Sequence, residues 1–178
     1  MTAAEHLAID NAFAAELQRI VKPPNMTPRI GLHRGKGFVG FMIKKQTRSV
    51  YSHASFLVPG ATHRVLESRE FKGVQLSTLT DNDKLLVDWF AIPSMSDEQF
   101  QRAFDFAMSQ LGKKYDYWSV ARFLTHTPAR ANQRWFCSEF VFKSIAEAGL
   151  RLLARIESAE VSPGQLSHSP LLVQVTPP

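Results

Sequence analysis

The apolar positions change rhythm twice along the chain. In the first stretch Ile9, Phe13, Leu17 and Ile20 recur three or four apart, behind a Thr2/Glu5 pair that reads as a capping box, until Pro23-Pro24 ends the pattern. This predicts an amphipathic helix over residues 1–22. Its polar side mixes acids and bases, which favours packing on the protein over lying on a membrane. From Ile30 to about residue 92 the runs become short and β-prone: Phe38–Ile43, Val50–Val58, His63–Ser68, Val74–Leu79 and Leu85–Phe90. Turn signals at Pro59-Gly60, Gly73 and Asp81-Asn82-Asp83 separate them. Such close spacing predicts an antiparallel meander, because parallel strands need longer crossovers.

After Pro93 the rhythm is helical again. Ser96 with Gln99 forms a second capping box, Phe100, Ala103, Phe104, Ala107, Met108 and Leu111 line one face, and Gly112 closes the helix. A further helix starts at Phe136 or Cys137 and runs to Ala148, with Gly149 as terminator. Residues 96–150 thus form a helical part. The tail over residues 158–178 is loop-like, with Pro163-Gly164, Ser169-Pro170 and one short edge strand within Leu171–Val175. Helix, then sheet, then helices makes the fold class α+β, in one domain of 178 residues.

Composition narrows the function. A single cysteine can make neither an intramolecular disulfide nor a cysteine-rich zinc site, so no structural metal and no cofactor are expected. The charge is +5, and basic residues gather between Arg29 and Arg48 without interleaved aromatics. This reads as a solvated basic face, suited to anionic surfaces, and not as a nucleic-acid site. No run approaches the ~18 apolar residues that span a bilayer. Glu5, Asp10 and Glu16 interrupt any signal-like start, so cytoplasmic residence is the simplest expectation, with signal-independent export equally compatible. Gly35-Lys36-Gly37-Phe38-Val39-Gly40 fits the letters of a dinucleotide fingerprint, but the apolar run after it reads as a strand, and no acidic residue stands near twenty positions downstream. A turn entering a strand is the expectation there.

The lone cysteine sits in Trp135-Phe136-Cys137-Ser138-Glu139-Phe140-Val141. Positions 137, 141, 145 and 148 share a helical face and read Cys, Val, Ile and Ala, the stripe of a core helix, and free cysteine is among the most buried residue types. At a first turn, however, a thiol meets unpaired N–H groups that stabilise a thiolate and can hold an oxyanion. Core filler and nucleophile both fit, and a base decides between them. His53, in Tyr51-Ser52-His53-Ala54-Ser55, is the candidate. If Pro59-Gly60-Ala61 is a three-residue hairpin loop, Val58 pairs with Thr62 and His53 lies opposite Glu67. Their β-carbons are then about 4.5–5.5 Å apart, close enough for a carboxylate to orient an imidazole. His63 shares that face but lies about 13 Å from Glu67 along the strand. One residue more or less in the loop would turn Glu67 to the other face. In Leu111-Gly112-Lys113-Lys114-Tyr115-Asp116-Tyr117-Trp118, aromatics follow a helix end; they read as core edge or, for a tyrosine beside an active site, as a substrate contact.

Ser52-His53-Ala54, Glu67 on the next strand, Gly112-Lys113-Lys114-Tyr115-Asp116, and Phe136-Cys137-Ser138-Glu139-Phe140 opening a helix together resemble a known group. In order and spacing they are similar to the circularly permuted papain-like hydrolases of the NlpC superfamily, especially the YiiX-like branch. Lecithin retinol acyltransferase-like proteins are more distant relatives. Ordinary papain-like enzymes place the cysteine helix before the histidine strand, whereas here His53 precedes Cys137. The resemblance covers roughly residues 30–150 and implies a permuted papain-like fold, an antiparallel sheet or barrel packed against helices, with the N-terminal helix added. It implies Cys137 as nucleophile, His53 as general base and then acid, Glu67 as the orienting residue and Tyr115 near the substrate, with the Cys137 N–H in the oxyanion hole. The implied activity is that of a cysteine peptidase- or amidase-like hydrolase on a cell-wall-type peptide such as a peptidoglycan fragment, with a lipid ester or acyl amide as second substrate class. Acyl transfer, or a silent module that binds anionic surfaces, are the alternatives. Two departures stand out: Arg29-Ile30-Gly31-Leu32-His33 lies where relatives often carry a Gly-Asp pair, and the acyltransferase-like branch has histidine as its third residue, where this chain has Glu67.

Overall fold

The computed structural model describes residues 28–35, 38–116 and 134–178. The helix expected over residues 1–22 lies outside them. In chain order the elements are β1 (Arg29–His33), α1 (Phe38–Thr47), β2 (His53–Leu57), β3 (Arg64–Arg69), β4 (Gly73–Thr78), α2 (Asp81–Lys84), β5 (Val87–Ala91), α3 (Asp97–Ser109), α4 (Cys137–Glu147), a 3-10 turn (Ser158–Glu160), α5 (Pro163–Leu166) and β6 (Val173–Val175). The strands form one six-stranded sheet in the order β4-β3-β2-β1-β5-β6, antiparallel throughout. The edge strand expected in the tail is β6, paired to β5.

Strand alternation gives the sheet two unlike faces. Ile30, Leu32, Ala54, Phe56, Leu66, Val74 and Phe90 point to one side, where they pack with Phe100, Ala103, Phe104 and Ala107 of α3 and Phe140, Val141 and Ile145 of α4. The expected capping box starts α3: the Ser96 hydroxyl accepts the Gln99 N–H, and the Gln99 side chain accepts that of Ser96. The opposite side carries a smaller apolar cluster, Leu57, Val65, Leu79, Val87 and Trp89. On that side too, by the same alternation, stand His33, His53, Ser55 and Glu67.

Three expectations change. Residues Phe38–Thr47 form a helix, not a strand. A short apolar run such as Phe38–Ile43 has no periodicity to separate the two states. Here Lys44 and Lys45 fall in the last turn, where cations suit the dipole, and the Thr47 hydroxyl donates to the Ile43 carbonyl. The glycine-rich stretch therefore precedes a helix after all, but β1 and β2 are antiparallel neighbours, and a dinucleotide fold needs a parallel crossover there. Second, the β2–β3 loop spans residues 59–63, because the Val58 N–H closes on Arg64 and the His63 carbonyl accepts the Leu79 N–H of the next hairpin instead. The register becomes Ser55↔Glu67, so Glu67 is diagonal to His53 instead of directly opposite. A shift of two keeps the face, since side chains alternate with period two. Third, Arg29–His33 is the central strand, bonded to both β2 and β5.

The segment before α4 is tied into this frame. Gly112 donates to the Val74 carbonyl and Val74 to that of Lys113, while Trp135 and Lys114, and Asp116 and Trp135, exchange backbone bonds around the Tyr115↔Trp135 bridge. The Ser68 hydroxyl reaches the Trp135 carbonyl at 2.7 Å. At the far end of α4, Gly149 terminates the helix at φ 85°.

Gly31 is a packing requirement of the polar face. A β-carbon there would lie 2.9 Å from Val87 Cγ1 and 3.0 Å from the Ser55 hydroxyl. Gly31→Ala is expected to destabilise the fold by about 1–3 kcal/mol, read as a lowered urea midpoint with an unchanged slope.

Candidate active site

His53 opens β2 and Glu67 lies near the end of β3, so two strand ends carry them and the longer glutamate side chain spans the diagonal. His53 Nε2 and Glu67 Oε2 are 2.6 Å apart. A carboxylate only accepts, so Nε2 carries the proton. That leaves Nδ1 for the hydrogen bond that His53 shares with Cys137. Thiol, imidazole and carboxylate form one chain.

The electrostatics follow from burial and proximity. Burial works against the charged imidazole, but the negative charge available on Cys137, the Glu67 carboxylate, and hydrogen bonds to both outweigh it and raise the His53 pKa to about 10. Burial likewise opposes the charge on Glu67, which is 1% exposed. The His53 charge and hydrogen bond, a hydrogen bond from Ser77, and Arg69 overcome that and hold the carboxyl well below the usual range. Ser77 is itself held by the Gln75 amide at 2.9 Å.

Cys137 is the first residue of α4 and is fully buried, with Ile43, Tyr115 and Phe136 around it. Its helical stripe, Val141, Ile145 and Ala148, is buried too. Phe136 at the N-cap has no side-chain oxygen to offer the first-turn N–H groups. Glu139 reaches back to the Phe136 N–H at 3.4 Å, and the Ser138 hydroxyl bonds the Val161 carbonyl, anchoring the first turn to the tail. Tyr115 is 4% exposed, and its ring lies 6.0 Å from that of Phe136.

The four residues singled out from the sequence thus come together, and His63 does not: it is exposed on the loop, bonded to the Thr62 hydroxyl. A fifth residue escaped the sequence reading. His33 stands directly across from His53 on β1, with ring centroids 4.9 Å apart, and its Nε2 lies 2.7 Å from the Ser55 hydroxyl. Burial first, then the neighbouring His53 charge, lowers its pKa to about 3, so it is a neutral imidazole. Its only signal was position: after Ile30 and Leu32 on the core side, His33 falls on the same face as Gly31.

An open cleft of about 450 Å³ is lined by His33, His53, Glu67, Arg69, Phe71 and Tyr115 among others. His33, His53 and Glu67 offer ligand atoms within 4.8 Å of one another, the one such group among the described residues. They do not fit an ion as held. Two ligands of a tetrahedral zinc stand about 3.3 Å apart, whereas His53 and Glu67 share a proton at 2.6 Å and His33 is bonded to Ser55.

A family model described as permuted papain-like amidase, YaeF/YiiX, C92 family, matches residues 34–167, a span that contains Cys137, His53, Glu67 and Tyr115. No curated protein matches the chain. Among solved structures, the metalloprotein YiiX from Escherichia coli O157:H7 (DUF1105) aligns with a TM-score of 0.63 and 21% identity, over 88% of this chain and 98% of that one. That likeness supports the fold. With an antiparallel sheet, helices on one face and a match across most of its length, the chain belongs to the permuted papain-like amidases of the C92 family and is a cysteine peptidase- or amidase-like hydrolase.

Proposed function

We propose that this hydrolase cleaves an amide bond through a Cys137 thioester, with His53 as acid and base and Glu67 as its orienting residue. The observation that carries the reading is the position of His53, hydrogen-bonded to both Cys137 and Glu67. The Cys137 thiolate attacks the carbonyl carbon, and the oxyanion is met by N–H groups of the α4 first turn, which Phe136 does not cap. The C–N bond breaks as His53 gives its proton to the departing amine. Water then attacks the thioester, its proton passing to His53, and the acid leaves as thiolate and imidazolium are restored. Tyr115, on the cleft wall beside Cys137, contacts the substrate. The substrate is an amide in a cell-wall-type peptide. A lipid ester or acyl amide would pass through the same steps, and an amine or alcohol replacing water would make the reaction acyl transfer.

The test is intact mass after incubation with peptidoglycan fragments and, separately, phospholipids. An adduct on Cys137, absent in Cys137→Ala, names the acyl group; no adduct and no turnover in either set removes both of these substrate classes. The pH dependence has a definite sign. His53 is protonated below about 10, so kcat/KM falls as pH rises through that value. Glu67→Gln removes one of the charges that raise it, and the high-pH limb is expected to move at least about one pH unit toward neutral. The E. coli neighbour is described as a metalloprotein, but here a cation must displace the His53–Glu67 bond. Chelator is therefore expected to leave kcat/KM unchanged and micromolar zinc to lower it; a chelator-sensitive rate restored by metal would sink this part of the reading.

A further inference from the structure

The turn between β3 and β4 carries a conformation that its sequence does not favour. Lys72 N–H bonds the Arg69 carbonyl at 3.2 Å, closing a four-residue turn, and Phe71 at its third position has φ 63°. Glycine or asparagine normally takes that place, because a β-carbon is strained there. Phe71 is nonetheless 89% exposed, so burial of the ring in the core does not offset the strain. The base of the turn is rigid: Gly73 has φ 77°, and a β-carbon on it would lie within 2.1 Å of the Lys113 carbonyl oxygen. This pins the hairpin against the stretch that leads to Tyr115.

Phe71 lines the same cleft as His53, Glu67 and Tyr115, and Leu79 and Leu86 add apolar wall to it. Arg69, two residues before, is bonded to Glu67, and the adjoining Glu70 carboxyl is desolvated enough to raise its pKa. We infer that Phe71 is a specificity-determining contact that receives an apolar substituent of the substrate next to the reacting carbonyl. The turn holds the ring at the mouth, where an aromatic or alkyl group covers it on binding. This rests on the reading of Cys137 as the reactive group, and it deepens that reading by naming an apolar-substituted amide or ester as the preferred substrate class.

The test compares alkylation of Cys137 by iodoacetamide and by N-phenethyl-iodoacetamide, each rate normalised to that of glutathione. The wild-type protein is expected to favour the phenethyl reagent roughly three- to tenfold, the range of one aromatic contact. Phe71→Gly is expected to bring that ratio to about one, Phe71→Leu to keep most of it, and the parent iodoacetamide rate to stay the same in all three. Because glycine relieves the turn, Phe71→Gly is also expected to unfold at the wild-type temperature or above. A ratio unchanged in Phe71→Gly, or a lowered unfolding temperature in both Phe71→Gly and Phe71→Asn, overturns the inference. Failure of the hydrolase reading is seen separately, as absence of an acyl adduct while the alkylation ratio still depends on Phe71.

Discussion

A carboxylate buried to 1% exposure persists only where its charge is met, and at Glu67 it is met on both oxygens. Oε2 takes the proton-bearing edge of His53, and Oε1 faces Arg69 at 3.4 Å. Much of the site follows from this pairing. It fixes which ring nitrogen of His53 faces the carboxylate, and so which one is left for Cys137. It also requires a neutral neighbour on the other side, since a second cation beside His53 would compete for the same carboxylate; His33, desolvated and bonded to Ser55, meets that requirement. Removing one partner of a buried ion pair costs roughly 3–5 kcal/mol, because the other is left charged and unmatched. The pair's contribution to folding is bounded in pH. It is lost on acidification as the lowered Glu67 carboxyl protonates, and lost on alkalinisation as His53 gives up its proton near 10.

The sheet makes this arrangement affordable by separating tasks. One face carries the main apolar core against α3 and α4. The other carries a polar layer across three adjacent strands, His33 on β1, His53 and Ser55 on β2, and Glu67 on β3. Gly31 leaves the space that the Ser55 hydroxyl occupies. The thiol comes from outside the sheet. Its helix is held by the apolar stripe below Cys137, by Ser138 on the Val161 carbonyl, and by the Trp135 carbonyl on Ser68, next to Glu67 in the chain. Cys137 and Glu67 are thus joined by a short structural path as well as through His53.

Much of this could be read from residue order. The box at Ser96/Gln99, the stops at Gly112 and Gly149, four of the five strands expected before residue 92 and the Cys137 helix are local patterns, each set by a few neighbours. The fifth expected strand failed at Phe38–Ile43, where a short apolar run carries no period and the backbone state is chosen by Lys44, Lys45 and the space beside Ser52, which Gly40 approaches closely. The hairpin register was off by two because loop length depends on the His63–Leu79 bond to a third strand, which no local pattern announces. Parity survived that error, and with it the side of the sheet on which Glu67 stands.

By itself, then, the sequence determined the α+β class and the order of histidine strand before cysteine helix, since these rest on local periodicity, and it singled out Cys137, His53 and Glu67 as a thiol, an imidazole and a carboxylate for the fold to bring together. Only the tertiary structure decided that β1 is central and so sets His33 edge-on against His53, that Glu67 reaches His53 along a diagonal, and that Phe71 stands at the cleft mouth. The reason is physical. Strand pairing and turn placement depend on contacts between segments far apart in the chain, and their free energy exists only once the sheet has closed around them.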